Sequence, residues 1–180
     1  QALGFSVGDV RHIVLTHLDL DHAGGLCDFP AATVHVHERE FATAMARATR
    51  LDKRRYLPTQ WQHGVHWQLY PDAGDSWRGV PAIARLRDVH APIGMLPMFG
   101  HSLGHSAVLV EHRGGAIIHA GDAYFHRGSV GPSQRAPWMI RQFERAVEAD
   151  RPARLASAKQ LAALCAAHTD INMFCAHDAH

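Results

Sequence analysis

Cysteine is scarce in this chain and badly placed for pairing. Cys27, Cys165 and Cys175 make an odd number with no CxxC spacing, so neither a disulfide framework nor a cysteine zinc cluster is expected. That usage fits a reducing compartment, and a cytoplasmic location is the expectation. Long apolar runs are missing as well. Nothing approaches the roughly 18 consecutive apolar residues that a membrane-spanning helix needs, and no basic-then-apolar leader follows Gln1, so no membrane partner is expected. An excess of one charge is also absent: 18 Lys and Arg face 17 Asp and Glu, a formal net charge of +1. No broad field for nucleic acid results, and the short run Lys53-Arg54-Arg55 reads as a solvated face. No repeat or low-complexity tract interrupts the 180 residues, whose 47% hydrophobic and 19% charged content fits one globular domain over 1–180.

Histidine is what the chain has in plenty. Its 16 histidines are scattered from His12 to His180 rather than gathered as a tag, which marks some of them as ligands. The densest place is Thr16-His17-Leu18-Asp19-Leu20-Asp21-His22-Ala23-Gly24-Gly25. Four groups able to bind a metal fall within six residues, directly after the apolar run Ile13-Val14-Leu15 and directly before two glycines. Imidazole and carboxylate hold zinc, iron or manganese, and a strand end holds them rigidly. Three further places set metal-capable side chains beside an apolar run or a glycine: Gly100-His101-Ser102-Leu103-Gly104-His105, Gly121-Asp122 and His177-Asp178.

Periodicity supplies the elements that carry these groups. A strand is read at 12–16 and another at 33–37, where Val34 and Val36 alternate with His35 and His37; the valines face the core and the histidines the polar side. Residues 38–50 form an amphipathic helix with Phe41, Ala44, Met45 and Ala48 on one face. Residues 51–82, broken by Pro58, Pro71 and Pro81, read as a long, partly ordered insertion. Its Trp61, Trp67, Tyr70 and Trp77 either line a substrate pocket or pack the segment down. Strands follow at 83–89 and, as a hairpin, over 106–120. Helices are read at 138–149 and 154–168, separated by Pro152, before a closing strand at 171–175.

In this order, HLDLDH at 17–22, Gly100-His101-Ser102, Gly121-Asp122 and His177 resemble the motifs of the metallo-β-lactamase superfamily. That pattern is HxHxDH, then GH followed by Ser or Thr, then GD, then a late His; the style is nearest the lactonase and glyoxalase II-like branches. The resemblance implies an α/β fold, the αββα sandwich, around two divalent metal ions. His17, Asp19 and His101 would hold the first, Asp21, His22 and His177 the second, with Asp122 bridging them. His105 matches a histidine that those branches use for packing or support rather than as that motif's ligand.

Two departures stand out. Asp19 replaces the second His of the pattern, so three carboxylates (Asp19, Asp21, Asp122) face two divalent ions. Zinc remains the first choice, and the less positive cluster admits manganese or iron. The superfamily fold also opens with several strands ahead of HxHxDH, whereas few residues precede His17 here. An N-terminally incomplete domain is therefore expected, with a bared sheet that a second copy would cover as a homodimer.

The implied chemistry is hydrolysis of a small ester, lactone or thioester by a metal-activated hydroxide, with Asp21 and Asp122 orienting the water. Lactonases carry a Tyr three residues after the bridging Asp, where this chain has Phe125. Tyr124, one place earlier, is read as an oxyanion donor, with ordinary packing as the alternative. A phosphodiesterase, an iron-dependent oxidoreductase similar to the persulfide dioxygenases, and a non-catalytic binding domain are the competing readings. The expected partner is a small-molecule substrate.

Overall fold

The computed structural model describes residues 4–131 and 135–177. A three-stranded parallel sheet has the order β1 (His12–Val14), β2 (Thr33–His37), β3 (His66–Tyr70). A second sheet of six runs in chain order: β4 (Asp75–Trp77), β5 (Val80–Arg85), β6 (Ile93–Pro97), β7 (Ser106–His112), β8 (Gly115–His119) and β9 (Ile171–Phe174). Its neighbours pair antiparallel except β8 and β9, which run parallel. The α-helices are α1 (Leu20–Ala23), α2 (Glu38–Ala46), α3 (Arg50–Arg55), α4 (Trp138–Val147) and α5 (Arg151–Ala167). Among the described residues no helix is long and apolar enough to cross a membrane.

Strand alternation builds three buried layers. Val34 and Val36 of β2 pack with Leu15, Leu18, Tyr56 and Ala44 of α2, which covers one face of the small sheet. Leu161 and Leu164 of α5 pack on Ala116, Ile118 and Ile171, covering the far face of the large one. Between the sheets lie Tyr70, Ala84, Leu86 and Met95, with Val14 and Ile93 against them. Helix, sheet, sheet, helix is the αββα sandwich that the motifs implied.

That layering corrects the reading of β2. His35 and His37, expected on a solvated face, are each 1% exposed, because the second sheet covers the side opposite the valines. Their polar atoms are satisfied locally, as buried polar atoms must be. His35 lies 3.0 Å from the His12 ring nitrogen and 2.8 Å from the Tyr70 hydroxyl. His37 accepts the Arg39 amide at 3.1 Å, capping α2, and its other ring nitrogen sits 3.0 Å from Asp72.

The helix expected to run to residue 50 stops at Ala46. Arg47 turns into the left-handed region at φ 44°, and a Thr49–Asp52 capping box starts α3 instead. Residues 51–82 are not a loose insertion: they supply α3, β3 and β4. Their aromatics pack. Trp67 meets Phe41 at 5.3 Å and Trp61 at 6.4 Å between ring centroids, and the Trp77 indole donates to Glu111 at 2.7 Å. Pro152 does not separate two helices either. It sits in the first turn of α5, where a missing N–H costs nothing, behind the Asp150 cap on the Ala153 amide.

Candidate metal centre

Four loops meet at one edge of the sandwich. Because β7 and β8 are antiparallel while β8 and β9 are parallel, the start of β7 and the ends of β8 and β9 share that edge. The Ser106 amide donates to the Thr16 carbonyl at 2.9 Å, which brings the end of β1 to the same place across the two sheets. The Ala176 amide donates to the Gly121 carbonyl at 3.0 Å and ties the last loop to the third.

Asp122 is the hub of the side chains these loops present. Its Oδ1 lies 3.3 Å from His22 Nε2, and its Oδ2 lies 3.2 Å from His177 Nε2, 3.6 Å from His101 Nε2 and 3.9 Å from His17 Nε2. Asp19 Oδ2 faces His101 at 3.1 Å and His17 at 3.4 Å. Asp21 Oδ2 is 3.6 Å from His22 and 3.7 Å from His177. Three groupings with donor atoms within 4.8 Å of one another result: His17, Asp19 and His101; His17, His22 and Asp122; Asp21, His22 and His177. All seven residues singled out as ligands in the sequence thus converge. Asp178, beside His177, lies outside the described residues.

These atoms fit a cation better than they fit one another. His17 Nε2 and Asp122 Oδ1 are buried without a hydrogen-bond partner, an arrangement that leaves lone pairs desolvated and costs stability unless something binds them. An imidazole and carboxylate donor set suits zinc, manganese or iron. The protein's own charges already favour ionised carboxylates. Burial raises the pKa of Asp19, but hydrogen bonds from His101 and His17 and the charges of His17 and Arg55 outweigh it, holding the carboxyl well below the usual range. Asp122 is likewise held low against its burial, by the hydrogen bond and charge of His22 and the charges of His17 and His101. Burial lowers His101, whereas in His22 the pairing with Asp122 overcomes burial and raises it.

A second ring of buried groups fixes the donors, and most of it was not legible in the sequence. His105 is fully buried; its Nδ1 donates to the Met98 carbonyl at 2.9 Å, which leaves Nε2 to accept the Asp122 amide at 2.9 Å. Burial drives its pKa well down, consistent with this neutral tautomer. Gly121 makes the approach possible: at φ 53°, a Cβ there would stand 2.7 Å from His105 Nε2 and 2.8 Å from Thr16 Cβ. Glu40 of α2, also fully buried, accepts four donors. Leu18 N–H and the Tyr56 hydroxyl reach Oε1 at 3.0 and 3.1 Å, and the Ser102 hydroxyl and Gly104 N–H reach Oε2 at 2.6 and 3.1 Å. Glu144 of α4 accepts the Phe125 amide at 3.2 Å.

The sequence reading of Lys53-Arg54-Arg55 as a solvated face is corrected at Arg55. Its side chain is 7% exposed and its Nε lies 2.9 Å from Asp19 Oδ1, a close approach of charges whose N–H is not aligned on the oxygen. The helix period of α3 turns Arg55 inward while Arg54 stays outside. Tyr124, 3% exposed, belongs to the core cluster on the large sheet. Phe125 is the aromatic that stands over the donors, stacked on His177 at 4.8 Å and 5.6 Å from His101.

Comparison with known proteins agrees with this geometry. A probable metallo-hydrolase of Mycobacterium tuberculosis is 35% identical over 179 residues, covering 99% of this chain and 58% of that protein. An N-acyl homoserine lactonase of Agrobacterium fabrum is 31% identical over 111 residues, 62% of this chain and 40% of its own length. The chain therefore spans little more than half of the curated relatives it matches. Among solved structures, a probable metal-dependent hydrolase from Staphylococcus aureus superposes with a TM-score of 0.74 at 18% identity, over 98% of this chain and 58% of that one. A dizinc quorum-quenching lactonase gives 0.66 at 17% identity, over 99% and 61%. At such identities the superpositions speak for the fold alone. The family model of the metallo-beta-lactamase superfamily matches residues 1–138, and with the four motif loops gathered as described, the chain belongs to that superfamily.

Proposed function

We propose that this chain carries the catalytic centre of a binuclear metallo-hydrolase acting on a small ester, lactone or thioester with an apolar acyl group. One observation carries the reading: seven donor side chains from four loops surround Asp122, with buried lone pairs on His17 and Asp122 that no protein group satisfies. His17, Asp19 and His101 form one half of the centre, Asp21, His22 and His177 the other, and Asp122 lies between them. Divalent ions held there, zinc first and manganese or iron as alternatives, supply a nucleophile at neutral pH and polarise the carbonyl under attack.

The chain's own residues do the rest. Asp122 and the exposed Asp21 accept hydrogen bonds from the attacking water and orient it. Phe125, 7% exposed, closes one side of the donor set against solvent. A cavity of about 270 Å³ opens beside Asp19 and Asp21 and is walled by Leu20, Leu51, Ala146 and Val147, with Arg54 and Arg55 also lining it. That wall suits an apolar acyl group, and the N-acyl homoserine lactonase among the relatives supports the same substrate class. A larger cavity of about 750 Å³ between α5 and Phe99 holds none of the seven donors and is not assigned to the reaction. Tyr124 is assigned to packing, which its burial in the core supports.

Protein stripped with a chelator is expected to lose turnover and to regain it with about two equivalents of zinc or manganese per chain. Lactones, thioesters and phosphodiesters tested side by side identify the substrate class. Turnover that survives complete removal of metal overturns the proposal, and turnover of phosphodiesters alone replaces acyl chemistry with phosphoryl displacement.

A further inference from the structure

We infer that Arg55 and Asp19 act as one charge-neutral couple, in which Arg55 is a positioning residue that holds Asp19 Oδ1 so that only Oδ2 faces the first cation. The inference rests on the reading of Asp19 as a metal ligand and adds a residue to that site. Its basis is how the carboxylate is divided. Oδ2 looks toward His17 and His101, at 3.4 and 3.1 Å, while Oδ1 looks away from them toward the Arg55 guanidinium, 2.9 Å off. Arg55 is clamped in that position: Nη1 donates to the His101 carbonyl at 2.8 Å and Nη2 to the Val147 carbonyl at 2.6 Å. The same Nη2 lies 3.3 Å from His101 Nε2, so the guanidinium flanks two of the three donors of the first half-site.

Charge explains why both residues are needed. The superfamily pattern has a neutral imidazole where Asp19 stands, and a third buried carboxylate beside Asp122 would add a negative charge. A guanidinium at 7% exposure with only carbonyls for company would be equally costly. Together they add nothing to the net charge of the centre, while the arginine restricts the carboxylate to one donor oxygen.

The couple is tested first without metal, in a double-mutant cycle on thermal stability. Asp19→Asn and Arg55→Met are each expected to lower Tm by about 10 °C, since each leaves a buried charge without its partner. The double variant should lose clearly less than the two losses combined. Strictly additive losses overturn the couple. The second arm reads cation uptake against a competing chelator. Asp19→His leaves Arg55 facing the first cation with no carboxylate between, so adding Arg55→Met to it should tighten uptake by at least about tenfold. A merely structural arginine would leave uptake unchanged or weaker when removed, and that result also overturns the inference. Wild-type protein that takes up no metal would overturn the binuclear reading by itself, because the stability cycle needs no cation.

Discussion

Asp122→Ala is expected to lower kcat/KM by at least about 10³-fold, the scale of losing a charge-stabilising group from a water-poor site, while the protein stays folded. Asp122 is 3% exposed and its two oxygens come within 3.9 Å of four imidazoles, so it is the one side chain that touches both halves of the centre. Alanine removes the shared donor and leaves those histidines without the charge that collects them. Metal content should drop below two equivalents along with activity. His22→Ala should behave similarly, since it removes the imidazole paired with Oδ1. Steady-state kinetics and metal analysis on the same preparation, with circular dichroism as the folding control, check the result. Full activity in Asp122→Ala would refute the assignment of this centre to catalysis.

The second large effect is on folding. Glu40→Ala is expected to lower Tm by about 10 °C or more, because four buried donors lose their acceptor at once and each unmet donor costs about 1–3 kcal/mol. Those donors come from three separate places: Leu18 beside the first histidine, Ser102 and Gly104 in the loop that carries His101, and Tyr56 after α3. Burial and the Glu40 charge push the Tyr56 hydroxyl well up in pKa, so it stays a donor. Gly104 is placed tightly enough that a Cβ would lie 2.0 Å from the Glu40 backbone nitrogen. Differential scanning calorimetry of the metal-free protein reads the effect. An unchanged Tm would mean that Glu40 does not hold these loops together. Glu40→Gln, which keeps the shape and two acceptor lone pairs, should fall between the two.

The donors were legible because metal chemistry restricts them to a few residue types at strand ends, next to glycines that can be read as punctuation. His17, Asp19, Asp21, His22, His101, Asp122 and His177 were all found that way and all converge. What surrounds them was not. Glu40 sits on a helix whose sequence, EREFATAMA, gives no hint that one of its two glutamates near the start turns inward. Arg55 hides in a basic run, where composition argues for solvent and only the phase of α3 argues for burial. His35 and His37 alternate with valines like any half-exposed strand, and the second sheet that buries them pairs with none of the local sequence. β6 and β4 were missed for the same reason: short strands take their identity from neighbours that periodicity cannot see. Where the sequence misled, long-range packing overrode a local pattern.

The order of the loops along the chain bears on how this centre is made. His17 arrives near the beginning of the polypeptide described here and His177 near its close, on the far side of β9, which docks parallel to β8 only after α4 and α5 have been completed. A nascent chain emerging from the ribosome can therefore assemble the small sheet and its helices early, yet it cannot finish a two-ion pocket until the final strand is out. Cation capture is then the last event of maturation, and any truncation that removes β9 leaves a folded remnant able to hold at most half of the metal.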